Sequence, residues 1–251
     1  MLSLLNTWFF VPRRSAGVKC RLFCFPYAGG NGTVFRKWPE FLPPFVEVWA
    51  LRLPGRETRL QESPHNNMNA LLDDLERALI PFLDLPFAFF GHSMGTIVAF
   101  DLTRRFLAKQ IVSPKHLFLS GRRAPQIPDP DPPIHDLPEN EFWEEIRRLN
   151  GSPEEVLQHE ELKALVGPTL RADFKLIETW RYQGGSMALP MPISIFGGSR
   201  DPKTSPAELQ AWEVHTRSAF QLHMIEGDHF FLNNAQSELL SLIGRELNGV
   251  N

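Results

Sequence analysis

The sequence is poor in cysteine and tyrosine and carries almost no net charge, and these shortages exclude several classes of protein. Its 251 residues include 26 basic and 29 acidic side chains, which gives a net charge of −3. Because there is no excess of positive charge, the composition predicts neither nucleic-acid binding nor attachment to an anionic membrane.

The two cysteines cannot form a disulfide with each other. Cys20 and Cys24 lie in one apolar run that predicts a strand. Four residues of a strand span about 13 Å, whereas a disulfide requires Cα atoms within about 7 Å of each other. Since reduced thiols are typical of reducing compartments, we expect a cytoplasmic protein.

The amino-terminal segment MLSLLNTWFFVPRRS is apolar but does not fit a targeting signal. Arg13 and Arg14 follow the apolar stretch, whereas a signal peptide carries its charges in front. The stretch is also too short to span a membrane, which takes about 20 apolar residues. We interpret the segment as a strand or an arm at the edge of a sheet.

Phenylalanine and proline are abundant. The chain has 20 Phe against 2 Tyr, and 22 Pro against 17 Gly. The Phe excess predicts an aromatic core, or alternatively an apolar cavity that suits an apolar ligand. With 43 % apolar residues the chain can bury a sizeable core, so we expect one domain over residues 1–251.

Short apolar runs alternate with segments of helical periodicity. The runs that predict buried strands are Cys20–Pro26, Val46–Leu51, Phe87–Gly91, His116–Ser120, Ile193–Gly197 and Phe220–Glu226. The segments that predict helices between them are Leu71–Leu83, Thr96–Leu107, Pro206–Thr216 and Gln236–Leu247. This alternation is typical of an α/β fold with a mostly parallel central sheet flanked by helices.

Residues from about 122 to 185 interrupt the alternation. The stretch begins with a loop rich in Pro and Asp and then predicts only helices, at Glu139–Leu149 and over Glu160–Trp180. Gly167 and Pro168 predict a break in the second of these. An all-helical insertion between two strands indicates a lid over a site, with ordinary crossover helices as the alternative.

One motif carries chemistry. Gly91-His-Ser-Met-Gly95 follows a predicted strand and opens a predicted helix, as the G-x-S-x-G nucleophile elbow of the α/β-hydrolase fold does. The flanking glycines remove side chains that would clash in the tight turn. We therefore expect Ser93 to be a nucleophile at the carboxyl end of the sheet.

A serine nucleophile needs a base, and the base needs an acid. Of the eight histidines, only His229 lies on a loop after the last predicted strand. Asp201 follows the preceding strand and its Gly pair, which makes it the expected acid. Asp228, next to His229, and Asp173, in the helical insertion, are the alternatives.

Two backbone amides are expected to hold the oxyanion. One belongs to Met94, directly after the nucleophile. The second should come from the loop Pro26-Tyr-Ala-Gly-Gly30, where we favour Ala28 and keep Tyr27 as the alternative.

The chain resembles the type II thioesterases, the free-standing editing enzymes of non-ribosomal peptide and polyketide synthases. It is similar as well to the medium-chain thioesterase of animal fatty acid synthesis. The segments that carry the resemblance are Phe25–Gly30, Leu53–Glu57, Phe90–Gly95, Ser120–Pro125, Pro168–Phe174, Phe196–Asp201 and Gly227–Leu232.

The resemblance implies hydrolysis of acyl thioesters on the phosphopantetheine arm of an acyl or peptidyl carrier protein. It assigns Ser93, Asp201 and His229 as the triad, and Ala28 and Met94 as the oxyanion donors. It implies neither a metal nor a bound cofactor, and we expect a monomer that acts in trans. The chain departs from the family pattern at Asp228, where Gly is usual, and at Trp180, where Tyr is usual.

Two questions stay open at the level of sequence. Basic side chains near the predicted lid either meet an acidic carrier or form internal ion pairs; they are Arg52, Arg56, Arg59, Arg122 and Arg123. A general esterase or lipase with the same triad, or a non-catalytic acyl-carrier binding protein, is the alternative function.

Overall fold

A seven-stranded sheet forms the centre of the protein in a computed structural model, which describes residues 2–151, 154–185 and 188–250. The strands are β1 (Phe9–Phe10), β2 (Cys20–Phe25), β3 (Val46–Leu51), β4 (Phe87–His92), β5 (Leu117–Ser120), β6 (Ile193–Gly198) and β7 (Phe220–Ile225). Their order across the sheet is β1-β3-β2-β4-β5-β6-β7. Only β1 pairs antiparallel among these strands, so the predicted mostly parallel sheet is confirmed.

All six predicted strands are present, with ends within one residue of those expected from sequence. β3, β4, β5 and β6 are buried at every position, which explains why they appear in the sequence as largely apolar runs. β7 lies at the edge of the sheet and is largely half-buried.

Neighbouring side chains of each strand enter two separate cores, one on each face of the sheet. On β2, Phe23 and Phe25 pack on one face, and Leu22 and Cys24 on the other. Most of the Phe residues on the strands are fully buried, so the Phe excess serves the core in large part. Both cysteines are buried and free, as the strand geometry predicts.

Helices cover both faces. They are α1 (Leu2–Trp8), α2 (Met68–Leu79), α3 (Met94–Ala108), α4 (Glu139–Leu149), α5 (Glu154–Gln158), α6 (Glu160–Thr179), α7 (Pro206–Gln210), α8 (Phe231–Asn234) and α9 (Gln236–Leu247). Short 3₁₀ segments lie at Gly32–Phe35, Trp38–Glu40, Glu57–Arg59, Ile80–Phe82, Ala211–His215 and Asn248–Val250. α2 and α3 pack on one face of the sheet and α9 on the other.

The structure differs from the sequence-based expectations at the amino terminus and at Pro168, and the short helices α5 and α8 were not expected. The amino-terminal segment does reach the sheet edge, as β1, but the residues before β1 form the helix α1. The predicted break at Pro168 is wrong, because α6 continues through it. Tertiary packing explains this: the following turns bury Leu170, Leu176 and Ile177, which offsets the local cost of a proline.

The segment between β5 and β6 contains α4, α5 and α6 and, within residues 122–151 and 154–185, no strand. It has a small core of its own, centred on Phe142, Trp143, Ile146 and Leu157. Among the described residues, no helix is both long and apolar enough to cross a membrane.

Candidate active site

Ser93 occupies a sharp turn between β4 and α3. Its backbone angles are φ 53° and ψ −109°, a conformation that L-residues rarely adopt. The two glycines of the motif are required by close backbone contacts. A Cβ on Gly91 would lie 2.2 Å from the Gly95 carbonyl oxygen, and a Cβ on Gly95 would lie 2.0 Å from that of Phe25. The predicted elbow geometry is therefore present.

Thr96 stabilises the elbow through its side-chain hydroxyl. Its buried hydroxyl lies 2.9 Å from the Gly91 carbonyl oxygen and 2.8 Å from that of Ser120, and it accepts the Ser120 N–H at 3.1 Å. The Ser93 N–H donates to the same Ser120 carbonyl at 2.8 Å. Thr96 thus links the turn to β5, a role that could not be predicted from the sequence motif.

Asp201 and His229 meet at the carboxyl end of the sheet. Asp201 follows β6, His229 follows β7, and the distance from His229 Nδ1 to Asp201 Oδ2 is 2.8 Å. The Asp201 side chain is fully buried, whereas that of His229 is 15 % exposed. Hydrogen bonds from the Lys203 N–H (2.8 Å) and the Thr204 hydroxyl (2.9 Å) fix the carboxylate.

These contacts keep Asp201 ionised. Burial alone would raise the pKa of this carboxyl, but the hydrogen bond and charge of His229, with the Lys203 N–H and the Thr204 hydroxyl, outweigh burial and lower it below the usual value. An ionised carboxylate at Nδ1 leaves Nε2 of the imidazole free to accept a proton.

Ser93 and His229 line one cavity of about 1510 Å³. The loop after β2 and Phe230 form part of its wall, and the segment with α4–α6 covers much of the rest. Apolar side chains of that segment line the cavity, among them Ile127, Leu137, Ile146, Leu149, Val156, Leu165, Val166, Leu170, Phe174 and Ile177. Among the described residues, no hydrogen bond joins the Ser93 hydroxyl to His229.

The two alternative acids are engaged elsewhere. Asp228 Oδ1 accepts the Phe230 N–H at 2.8 Å. Asp173 is 1 % exposed and accepts hydrogen bonds from both terminal nitrogens of Arg56. Among the described residues, neither carboxylate forms a hydrogen bond or ion pair with His229, as Asp201 does.

His92, inside the elbow, is a packing residue. It is fully buried beside His229, and its Nδ1 lies 2.8 Å from the Ser120 hydroxyl. Burial, and then the neighbouring His229, lower the pKa of His92 well below the ordinary value, so it stays neutral.

Of the two expected oxyanion donors, Ala28 lines the cavity, and Met94 directly follows Ser93, which also lines it. Met94 N–H is the first amide of α3, and the first amides of a helix have no intrahelical acceptor. Ala28 lines the cavity on the loop after β2, where a hydrogen bond from the Gly30 N–H to the Tyr27 carbonyl (2.8 Å) forms a tight turn.

The five arginines near the cavity form internal ion pairs. Arg56, Arg59 and Arg123 are buried. The pairs are Arg52 with Glu57 (3.7 Å), Arg56 with Asp173 (2.7 Å), Arg59 with Glu62 (2.6 Å), Arg122 with Asp129 (3.2 Å) and Arg123 with Asp129 (2.8 Å) and Glu208 (3.2 Å). Of the two interpretations of these arginines, the structure favours the internal one. Within the described ranges, no cluster of three His, Cys, Asp or Glu side chains could hold a metal ion.

Comparisons with known proteins agree with this geometry. The family profile of the thioesterase domain matches residues 20–247. The chain belongs to the thioesterase family. Gramicidin S biosynthesis protein GrsT of Aneurinibacillus migulanus is 40 % identical over 246 residues, 98 % of this chain and 96 % of that protein. A Brevibacillus parabrevis protein named linear gramicidin dehydrogenase LgrE is 41 % identical over 241 residues, covering 95 % and 91 % of the two chains.

A solved structure shows the same fold. The type II thioesterase BorB, from the borrelidin biosynthetic cluster, superposes with a TM-score of 0.87 at 35 % identity, over 96 % of this chain and 98 % of the other. The expected α/β-hydrolase fold and the expected family are thereby confirmed: the chain is a type II thioesterase, a hydrolase.

Proposed function

We propose that this thioesterase acts in trans on acyl groups bound to the phosphopantetheine arm of carrier proteins in peptide or polyketide biosynthesis. The observation that supports it most directly is the hydrogen bond between His229 and the buried Asp201, on the cavity that Ser93 also lines. Such a pair activates a serine for attack on an acyl carbon.

In the first half of the reaction, His229 Nε2 takes the Ser93 proton as Oγ attacks the thioester carbonyl carbon. The carbonyl oxygen becomes an oxyanion, which the N–H groups of Met94 and Ala28 stabilise. The C–S bond then breaks, and the pantetheine thiol leaves with the proton that His229 returns. The product is an acyl ester on Ser93.

In the second half, water attacks the acyl ester while His229 takes a proton from it. The same two amides hold the second oxyanion. Collapse of this intermediate releases the carboxylic acid and returns the proton to Ser93. Asp201 stays ionised throughout and stabilises the imidazolium each time it forms.

We further propose that residues 1–251 form one domain in which residues 122–185 are a lid. The lid interpretation rests on the apolar side chains of this segment that line the cavity beside the triad. A volume of about 1510 Å³ suits an extended acyl group together with part of the pantetheine arm. A cytoplasmic monomer is the expected form, and the acyl or peptidyl carrier protein domains of a synthase are the expected partners.

Two other activities have a specific observation in their favour. A general esterase would use the same triad, and the name of the relative LgrE gives that protein a dehydrogenase activity. The strained elbow and the Asp201–His229 pair favour acyl transfer over hydride transfer, because hydride transfer requires no activated serine.

The test compares three substrates with one acyl group: an acyl-phosphopantetheinyl carrier protein, the acyl-CoA and the p-nitrophenyl ester. We expect the highest kcat/KM for the carrier substrate. Faster turnover of the free ester, with the carrier substrate ignored, would instead establish the esterase. Consumption of NADH or NADPH with a carrier-bound acyl group would instead establish a hydride-transferring dehydrogenase.

A further inference from the structure

Two segments that the triad leaves unexplained meet each other beneath the oxyanion loop, which we define as Pro26–Gly30. They are Leu53–Glu57, after β3, and Pro168–Phe174, on α6. Residues of these segments are more than 110 positions apart in sequence, yet they form a buried polar contact. The Thr169 hydroxyl donates to the Gly55 carbonyl at 2.7 Å, and one turn later Asp173 meets Arg56.

The Arg56–Asp173 contact is bidentate and buried. Arg56 Nη1 lies 2.8 Å from Asp173 Oδ2, and Nη2 lies 2.7 Å from Oδ1. Arg56 is 7 % and Asp173 1 % exposed. Desolvation makes such a pair a weak source of stability, so its presence calls for a role beyond stability.

Both partners also hold the backbone of the oxyanion loop. Asp173 Oδ2 accepts the Gly29 N–H at 2.8 Å, and Arg56 Nη1 donates to the Gly30 carbonyl at 2.9 Å. Leu170, between Thr169 and Asp173 on α6, packs so closely that a Cβ on Gly29 would lie 2.5 Å from its Cδ2. Arg56 and α6 therefore hold the loop together, through one connected set of hydrogen bonds.

These contacts determine where the Ala28 N–H points. The Tyr27 carbonyl accepts the Gly30 N–H, and in a planar trans peptide the Ala28 N–H must point the opposite way. The next peptide along is oriented by Asp173 through the Gly29 N–H. With both planes fixed, the Ala28 N–H does not need to reorient as an oxyanion forms.

We propose that Arg56 and Asp173 are positioning residues that hold the Ala28 N–H for the transition state, and that α6 is the part of the lid segment that stays docked on the oxyanion loop. Neither residue touches the acyl group in this account. The inference rests on the proposed acyl transfer at Ser93, and it assigns a task to the carboxylate that the sequence offered as an alternative triad acid.

The test replaces Asp173 with asparagine, which keeps the size of the side chain but cannot satisfy Arg56 and Gly29 as a charged carboxylate does. We expect kcat to fall about 100-fold, the order of effect for a displaced oxyanion donor, with KM within about threefold. The affinity of an alkyl boronic acid, which binds serine as a tetrahedral anion, should fall by the same factor as kcat. Arg56→Lys, which keeps the charge but not the bidentate geometry, should show a smaller loss in both.

Glu47→Gln is the matched control. Glu47 is also a buried carboxylate that pairs with an arginine (Arg14, 3.3 Å) and accepts a backbone N–H (Ser15, 3.2 Å), but it lies outside the cavity. Its replacement should lower Tm and leave kcat and boronate affinity within about twofold. Amide hydrogen exchange over residues 26–31 should be faster in Asp173→Asn and unchanged in Glu47→Gln.

The outcomes separate the two claims. Unchanged exchange in Asp173→Asn, or faster exchange with kcat and boronate affinity at wild-type levels, overturns the positioning role. An equal loss of kcat in Glu47→Gln also overturns it, because the effect would then be general destabilisation. A wild-type protein that hydrolyses no acyl thioester removes the proposed function itself, whatever the exchange data show.

Discussion

Replacing Asp201 with asparagine should disable the base while leaving the site intact. Asparagine has nearly the same shape, and its oxygen can still accept the Lys203 N–H that Asp201 Oδ1 accepts at 2.8 Å. The amide nitrogen then faces His229 Nδ1, which the carboxylate now contacts at 2.8 Å. Since that nitrogen donates, Nδ1 must accept, and the ring proton moves to Nε2.

A protonated Nε2 cannot take the Ser93 proton. Loss of the correct tautomer in a serine triad lowers kcat about 10⁴-fold, which is about 5 kcal/mol of transition-state stabilisation. KM should change little, because Asp201 is fully buried behind His229. The assay is steady-state hydrolysis of an acyl-carrier or acyl-CoA thioester, with release of free thiol followed by absorbance.

Asp228→Asn is the control for this change, because it removes a neighbouring charge and preserves the acceptor for the Phe230 N–H. It should retain kcat within about threefold. If Asp201→Asn stayed within tenfold of wild type, or if Asp228→Asn lost as much activity, the assignment of the acid would be refuted.

Three further predictions concern stability. Burial lowers the pKa of His116 in the folded protein to about 4, whereas its pKa in the unfolded chain is near 6.5, so the unfolded state binds more protons between these values. The free energy of unfolding should therefore fall as the pH drops through this window, by about 2 kcal/mol at pH 5, and chemical denaturation of His116→Gln should show a flatter pH profile. Gly95→Ala should prevent folding, as judged by circular dichroism, because its Cβ would lie 2.0 Å from the Phe25 carbonyl oxygen. In the control Gly17→Ala, the new Cβ has no atom within 4 Å, so Tm should not change. Pro168→Ala should raise the free energy of unfolding by roughly 1–2 kcal/mol, because the restored hydrogen bond within α6 outweighs the higher conformational entropy of the unfolded chain without proline. A lower Tm would show that the proline ring is needed for packing.

The sheet and the positions of the proposed triad could be predicted from the sequence because both leave local signals. A strand buried on both faces must be largely apolar, and β4 and β6 are buried at every position and carry one polar side chain each, His92 and Ser194. The elbow requires glycine at two fixed positions around Ser93, where backbone atoms approach too closely for a Cβ. Loop positions after β6 and β7 were enough to select Asp201 and His229 as partners.

The supporting contacts could not be predicted, because they join residues far apart in sequence. Thr96 reaches the Ser120 carbonyl, and Arg56 reaches Asp173 across 117 residues. The course of α6 through Pro168 likewise depends on packing that local propensity does not contain. Arg56 was predicted to face either a partner or the protein interior, and only the folded chain distinguishes the two.

The most direct test of the central claim is the release of free carrier thiol and free acid from an acyl-phosphopantetheinyl carrier protein, by wild type and by Ser93→Ala. Intact-protein mass spectrometry of the carrier follows loss of the acyl group. We predict complete deacylation by wild type and a rate indistinguishable from spontaneous hydrolysis with Ser93→Ala. Undiminished deacylation by Ser93→Ala, or none by wild type, would contradict the account.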